Sequence, residues 1–144
     1  MNGIDLNLGL VRTPFAGPVK YHVGRILRTG FDDASCSVIT SISVIEHGFG
    51  AHALASGAGR LLKPRGHFVA SFDYWPNKAS TDGVNIFNMR WTIFSRQDVE
   101  APVGIARTFG LEPPGPLEYE AKERAISCFA RDYTFGWPVL RKRS

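Results

Sequence analysis

The stretch that decides the fold is FDDASCSVITSISVIEHGFGAHALASGAGRLLKPRGHFVASFDYW, residues 31–75. It predicts a buried strand over residues 36–43, a helix over roughly 50–63 that Pro64 ends, and a second buried strand over 66–72. Two strands joined by a crossover helix form a parallel pair, and such sheets bind ligands at the carboxyl ends of their strands. We therefore expect a site on that rim, formed by Ser43, Glu46, His47, Asp73, Tyr74 and Trp75.

The sequence before and after this stretch fits one domain over residues 1–144. Gly3–Asn7 predicts the end of a strand that finishes in a carboxylate, and residues 19–23 predict a short alternating strand. Residues 76–94 read as an irregular insertion whose aromatic side chains either roof a pocket or anchor the loop to the core. These aromatic residues are Phe87, Trp91 and Phe94.

A second helix is expected after the insertion. Ser95 and Asp98 have the spacing of a capping box, and Gly110 should end the helix. Pro102 predicts either a kink or a later start. One face of this helix is apolar at spacings of three and four, formed by Val99, Val103, Ala106 and Phe109.

Two glycines and one turn are expected to lower the stability of this predicted fold. Gly57 and Gly59 inside a helix should cost about 1 kcal/mol each relative to alanine. In the turn KPRG, Arg65 cannot adopt a positive φ cheaply, so we expect Gly66 to supply the left-handed residue.

Composition excludes several classes of function. The net charge of +4 comes from scattered basic residues, and the terminal RKRS reads as a solvated tail, so we expect no nucleic-acid partner. No apolar run approaches the roughly 20 residues of a membrane span, and the first ten residues do not resemble a secretory signal, so a cytoplasmic setting is expected. Cys36 and Cys128 lack metal-ligand spacing, and no metal is expected.

Several segments resemble a known family. These are SVITSISVIEH, RLLKPRGHFVASFDYWP, WTIFSRQDVEA, FGLEPPGPLE and DYTFGWPVLRK, and they are similar to class I S-adenosylmethionine-dependent methyltransferases of type 11. The resemblance implies an α/β fold with a partial Rossmann-like sheet, mostly parallel, closed by an antiparallel hairpin over residues 111–121 and 132–141. It also implies an N-terminally truncated chain in which the first strand and its Gly-rich loop are missing.

The resemblance implies S-adenosylmethionine as cofactor and places parts of its site. Asp5 matches the carboxylate that takes the ribose hydroxyls, although an exposed aspartate in a frayed terminus is an equal alternative. The methionine end would lie against the strand tip at Ser41, Ile42 and Ser43.

The adenine side of the family pattern is altered. Gly24 matches the family glycine, but Arg25 stands where an acidic residue often follows. A guanidinium has only donors and cannot accept from the adenine amino group. Asp32 or Asp33 are possible substitutes, although both look like turn residues first.

The acceptor side rests on five residues at the strand ends. His47 and Asp73 are the candidate catalytic residues, and His47 is suited to removing a proton from the acceptor because the pKa of histidine lies near neutrality. Glu46, Tyr74 and Trp75 are candidates for binding the acceptor. In the alternative interpretation Glu46 caps the following helix, His47 packs in a turn and the two aromatics form an apolar wall.

Two functions remain open at this point. The first is methyl transfer to an unidentified small-molecule acceptor, and the second is a non-catalytic remnant or subunit that keeps part of the fold for packing or partner binding. Without a first strand, residues 36–43 expose a hydrogen-bonding edge. We expect that the N-terminal strands pair with this edge, that a homo-oligomer or partner chain covers it, or that residues 1–30 are poorly ordered.

Overall fold

The computed structural model describes residues 1–7, 9, 12, 17–25, 28–48 and 50–144. In these ranges the elements follow the chain in a fixed order. They are β1 (Asn2–Asp5), β2 (Lys20–Val23), β3 (Cys36–Ile42), a 3-10 turn (Ile45–His47), α1 (Ala51–Leu61), β4 (Leu62–Tyr74), β5 (Asn85–Ile86), β6 (Met89–Arg90), α2 (Arg96–Thr108), β7 (Leu111–Glu112), β8 (Ile126–Cys128), β9 (Arg131–Gly136) and β10 (Val139–Lys142). No helix among the described residues is both long and apolar enough to cross a membrane.

The main sheet is built around the long strand β4. On one side β4 pairs in parallel with β3, with Val38 opposite His67 and Ile42 opposite Ser71. On the other side it pairs antiparallel with β10 and then with β9. β7 adds to β10, and β8 adds to β9, both antiparallel. The predicted parallel neighbours, residues 36–43 and 66–72, are therefore confirmed.

The expectation of a mostly parallel sheet is wrong for this sheet. Its parallel pair in the described residues is β3–β4, whereas four of the six strands come from the C-terminal segment and run antiparallel to their neighbours. The predicted final hairpin is present only in part, because residues 113–125 form no strand. Pro113, Pro114 and Pro116 remove backbone donors from this segment, which explains the interruption.

The two N-terminal strands form a separate parallel pair. Asn2 lies opposite Lys20 and Asp5 lies opposite Val23. Within the described ranges no ladder joins this pair to β3. The expectation that the N-terminal strands pair directly with residues 36–43 is therefore wrong, and the expectation about the order of residues 1–30 falls partly outside the described residues.

The two faces of β4 are buried by different parts of the chain. Alternate residues of β4 belong to the larger apolar core, together with residues of α1 and α2, and these are Phe68, Ala70, Phe72 and Tyr74. A second, smaller core contains Trp91, Ile93 and Tyr133, with Trp75 packed against it. The insertion thus packs beside the end of β4 as a separate cluster.

The helix α2 begins with the predicted capping box. Ser95 Oγ accepts from the backbone N–H of Asp98, and the Asp98 carboxylate accepts from the backbone N–H of Ser95. Gly110, at φ 75°, follows the helix as predicted. Pro102 lies inside the helix rather than at a late start. Val99, Val103 and Ala106 are buried, which confirms the predicted apolar face.

The turn before β4 differs from the prediction. Arg65 itself adopts the left-handed region at φ 66°, and Gly66 does not. Glycine is needed at position 66 for space, because a Cβ there would lie 2.9 Å from the carbonyl oxygens of Lys63 and Ser37. The close approach of β3 to this turn therefore explains Gly66.

Two helical glycines should respond in opposite directions to the same substitution. A Cβ on Gly59 would lie 2.9 Å from the Phe109 carbonyl oxygen, whereas a Cβ on Gly104 would meet nothing within 4 Å. Gly104→Ala is therefore expected to raise the free energy of unfolding by about 1 kcal/mol. Gly59→Ala should lower it by about 1–2 kcal/mol, because α1 must move away from the end of α2. Urea unfolding measures both, and a stabilised Gly59→Ala variant would contradict the close packing.

Candidate functional site

Three ionisable side chains meet where β3 and β4 end. Glu46 and His47 lie in the 3-10 turn that follows β3, and Gly48 ends this turn in the left-handed conformation at φ 101°. Asp73 is the penultimate residue of β4. Because parallel strands present their carboxyl ends at one edge, this turn and Asp73 share that rim. The structure therefore brings together Glu46, His47 and Asp73 as the sequence predicted.

Asp73 is buried and accepts a hydrogen bond from a buried indole. It is 6% exposed, and its Oδ2 accepts from the indole Nε1 of Trp91 at 2.6 Å. The Tyr133 hydroxyl lies near this carboxylate, and burial together with the Asp73 charge raises the pKa of Tyr133. Burial raises the pKa of Asp73, against the lowering effects of the Trp91 hydrogen bond, the His47 charge and the Tyr133 hydroxyl.

Glu46 is more deeply buried and less well satisfied. It is 2% exposed, and its Oε2 is buried without a hydrogen-bond partner. Burial raises the pKa of Glu46 to about 7, and the Asp73 charge contributes in the same direction. The interpretation of Glu46 as a helix cap is wrong, because Gly50 is the N-cap residue of α1. Its carbonyl oxygen instead accepts from the backbone N–H of Thr92, which ties the turn to the insertion.

His47 lies on the outer side of this pair. The residue is half-buried, and its Nδ1 is buried without a hydrogen-bond partner. Burial lowers the pKa of His47, although the Asp73 charge acts in the opposite direction. Its ring packs edge-on against Phe87, with 5.8 Å between the centroids. His47 is therefore a neutral base close to solvent at pH 7.

The two aromatic residues that follow Asp73 pack in different cores. The hydroxyl of Tyr74 donates to the Tyr119 carbonyl oxygen at 2.6 Å, and Tyr74 packs in the larger core. Tyr74 therefore does not join the cluster around Asp73. Trp75 packs against the smaller core, and the guanidinium of Arg124 lies 4.1 Å from its ring centroid.

Sequence reasoning missed Tyr133 and underestimated Trp91. The sequence placed Trp91 only as an aromatic residue of a loop. The available signal was its indole N–H, because a buried tryptophan usually needs a hydrogen-bond acceptor. Tyr133 sits on β9, and only the antiparallel pairing of β9 with the end of β4 brings it to Asp73. No local pattern marks that pairing.

The expected cofactor residues lie on two different sheets. Asp5 is exposed at the end of β1, where its Oδ1 accepts from the backbone N–H of Asn7 at 2.7 Å. Gly24 follows β2, donates to the Asp5 carbonyl oxygen at 2.9 Å and has open space where a Cβ would stand. An exposed carboxylate beside an open glycine is compatible with a ribose. Asp33, one possible adenine contact, is instead paired with Arg60 at 2.6 Å.

The strand tip that was expected to meet the methionine end is partly exposed. Ser41 is buried, whereas Ile42 is 48% exposed. Ser43 adopts φ 49°, and its backbone N–H donates to the Ser71 carbonyl oxygen. The tip is therefore accessible to a ligand at Ile42. The chemical types of these residues are therefore compatible with binding S-adenosylmethionine.

Comparison with known proteins finds a family similarity in the N-terminal half of the chain. A methyltransferase domain model, that of the type 11 family, matches residues 2–70. These residues are similar to a type 11 methyltransferase domain, over just under half of the chain. No curated protein matches the chain.

Solved structures share the fold over the whole chain. An S-adenosylmethionine-dependent methyltransferase from Methanosarcina mazei matches with a TM-score of 0.66 and 13% identity, covering 99% of this chain and 81% of its own. The [4+2]-cyclase SpnF matches with a TM-score of 0.69 and 11% identity, covering 99% and 65%. A Haloferax volcanii methyltransferase in complex with the Trm112 activator matches with a TM-score of 0.69 and 17% identity, covering 99% and 72%. Such low identities show the fold alone, and the fold is the one found in S-adenosylmethionine-dependent methyltransferases.

Proposed function

We propose that this methyltransferase-family chain transfers a methyl group from S-adenosylmethionine to a small molecule held at the carboxyl ends of β3 and β4. The observation that carries the proposal is the group of Glu46, His47 and Asp73 at this rim. All three have pKa values displaced by burial, and displaced pKa values cluster at functional sites.

The cofactor would supply an activated methyl group, so the chain mainly has to align two reactants and exclude water. Asp5 and Gly24 would hold the ribose side, and the tip of β3 at Ser41, Ile42 and Ser43 would meet the methionine end. On the acceptor side, neutral His47 can accept a proton and the buried Asp73 can orient the acceptor. Trp75 belongs to the apolar wall on the same side, whereas Tyr74 supports the core behind it.

Titration calorimetry with S-adenosylmethionine tests the cofactor assignment. The purified chain should bind, and Asp5→Ala should weaken binding at least about tenfold, because a carboxylate that accepts from hydroxyls contributes about 1.5–3 kcal/mol. Asp82→Ala is the matched control, since Asp82 is also exposed and lies in the insertion. Unchanged affinity in Asp5→Ala would discard the ribose assignment. No heat from a folded, monodisperse sample would remove the cofactor from this chain.

One observation favours the second candidate, a chain that works with a partner. In the described residues the outer edge of β3 pairs with no strand. Val38 is 55% exposed beside it, and Cys36–Ile42 contains no charged residue or proline that would discourage pairing. Light scattering on the calorimetry sample distinguishes the two, because a partner-dependent chain would associate or fail to bind the cofactor alone.

A further inference from the structure

The acid cluster contains two polar atoms that the described residues do not satisfy. Glu46 Oε2 and His47 Nδ1 are both buried and have no hydrogen-bond partner. A buried polar atom without a partner destabilises a fold by about 1–3 kcal/mol, so native proteins rarely retain one without a reason. Glu46 is 2% exposed, and its free oxygen belongs to the same group as Asp73. The two atoms therefore indicate a place for a hydrogen-bond donor.

The cluster also lacks a positive charge. The ion pairs of the described residues use Arg60, Lys78, Arg96 and Arg143, and none of these pairs includes Glu46 or Asp73. Burial instead raises the pKa of both carboxyl groups. The described residues also contain no group of three or more His, Cys, Asp or Glu side chains that could hold a metal ion. An organic cation would neutralise the pair and supply the missing donors.

Exposed aromatic rings flank the cluster. Phe87 is 81% exposed and its ring lies against His47. Phe129 is 58% exposed, and its ring centroid lies 6.2 Å from that of Trp91, the residue that donates to Asp73. Aromatic faces attract cations and bury apolar surface. A ligand that reaches the acids past His47 would therefore place an apolar body against one of these rings.

We propose that the acceptor is a primary or secondary amine on an apolar body, bound as its ammonium form by Glu46, His47 and Asp73. This inference rests on the proposed function and deepens it by naming the substrate class. An ammonium has the N–H donors that Glu46 Oε2 and His47 Nδ1 lack. Its charge offsets the like charges of the two carboxylates.

The same arrangement serves the chemistry of transfer. An ammonium nitrogen must lose a proton before its lone pair can attack a methyl carbon, and Glu46 Oε2 accepts that proton. The new nitrogen–carbon bond then forms as the carbon–sulfur bond breaks, and the bonding electrons move to the sulfur. The protonated Glu46 returns its proton to solvent through the half-buried His47.

Binding of two matched probes tests the inference without the cofactor. Benzylamine is a cation at neutral pH, and benzyl alcohol has nearly the same shape without the charge. We expect benzylamine to bind at least tenfold more tightly by titration calorimetry. Glu46→Gln keeps the shape of the side chain and should abolish this difference, whereas Glu100→Gln, the same change on exposed α2, should preserve it.

The NMR signal of the Trp91 indole N–H gives a second measurement of amine binding. It should shift on adding benzylamine, because this N–H donates to a carboxylate that contacts the ammonium. Equal affinity for the two probes, or unchanged benzylamine affinity in Glu46→Gln, would overturn the inference. If benzylamine binds while S-adenosylmethionine does not, the amine site stands and the proposed methyl transfer falls.

Discussion

Trp91→Ala is expected to lower the free energy of unfolding by about 4 kcal/mol, because it empties the centre of the smaller core and removes a donor from Asp73. Trp91 is 0% exposed, and its ring lies 5.6 Å from that of Tyr133, measured between centroids. Its Nε1 donates to Asp73 Oδ2 at 2.6 Å. Truncation therefore leaves both a cavity and a carboxylate with one donor fewer.

Two further variants test this loss of stability. One separates the lost hydrogen bond from the cavity, and the other is a control on an exposed tryptophan. Trp91→Phe keeps an aromatic ring but removes the N–H, and should lower the free energy of unfolding by about 1–3 kcal/mol. Trp137→Ala is the matched control, since Trp137 is 61% exposed, and should change it by less than about 0.5 kcal/mol. Urea unfolding followed by circular dichroism measures all three. Similar losses in Trp91→Ala and Trp137→Ala would contradict the buried position of Trp91.

The sequence predicted the parallel pair and both helices because their signals are local. Apolar runs marked β3 and β4, and Ser95 with Asp98 marked the start of α2. The prediction that β3 is buried is wrong, because only Ser41 of its seven residues is buried. The antiparallel majority of the sheet could not be predicted in the same way. β9 and β10 reach β4 across a long loop, and only the packed fold specifies which strand each one meets. Gly66 is likewise explained by a contact that is distant in sequence, because a Cβ at this position would be too close to the Ser37 carbonyl oxygen.

The acid cluster was predictable because the rule for strand ends is topological. Glu46, His47 and Asp73 follow two neighbouring parallel strands, and such residues share a rim. Tyr74 was misplaced because successive residues of a strand face opposite sides, so Asp73 and Tyr74 cannot both reach one cluster. Trp91 arrives from 18 residues along the chain and could not be placed by spacing.

The stability of the wild-type chain should depend on pH through Glu46. Its pKa is raised from 4.5 to about 7 in the folded state. The folded state therefore binds this proton more tightly than the unfolded state, so stability is greatest at acid pH and is lost as pH rises toward and past 7. Between pH 5 and 8 this single group should remove about 2–3 kcal/mol.

Glu46→Gln should abolish this loss, because an amide keeps the size of the side chain and never ionises. The variant should exceed the wild type in free energy of unfolding by less than about 1 kcal/mol at pH 5 and by about 3 kcal/mol at pH 8. The neighbouring groups that titrate or carry charge include His47, Asp73 and Tyr133. They remain in both proteins, so the difference between the two curves isolates Glu46.

Glu100→Gln is again the control, since Glu100 is exposed and forms a surface ion pair with Arg96. Its difference from the wild type should be flat between pH 5 and 8. Urea unfolding at half-unit pH steps measures the three proteins. Parallel curves for wild type and Glu46→Gln would show that the Glu46 carboxyl is hydrated in the folded state. In that case it would not be the unsatisfied acid on which an amine site depends.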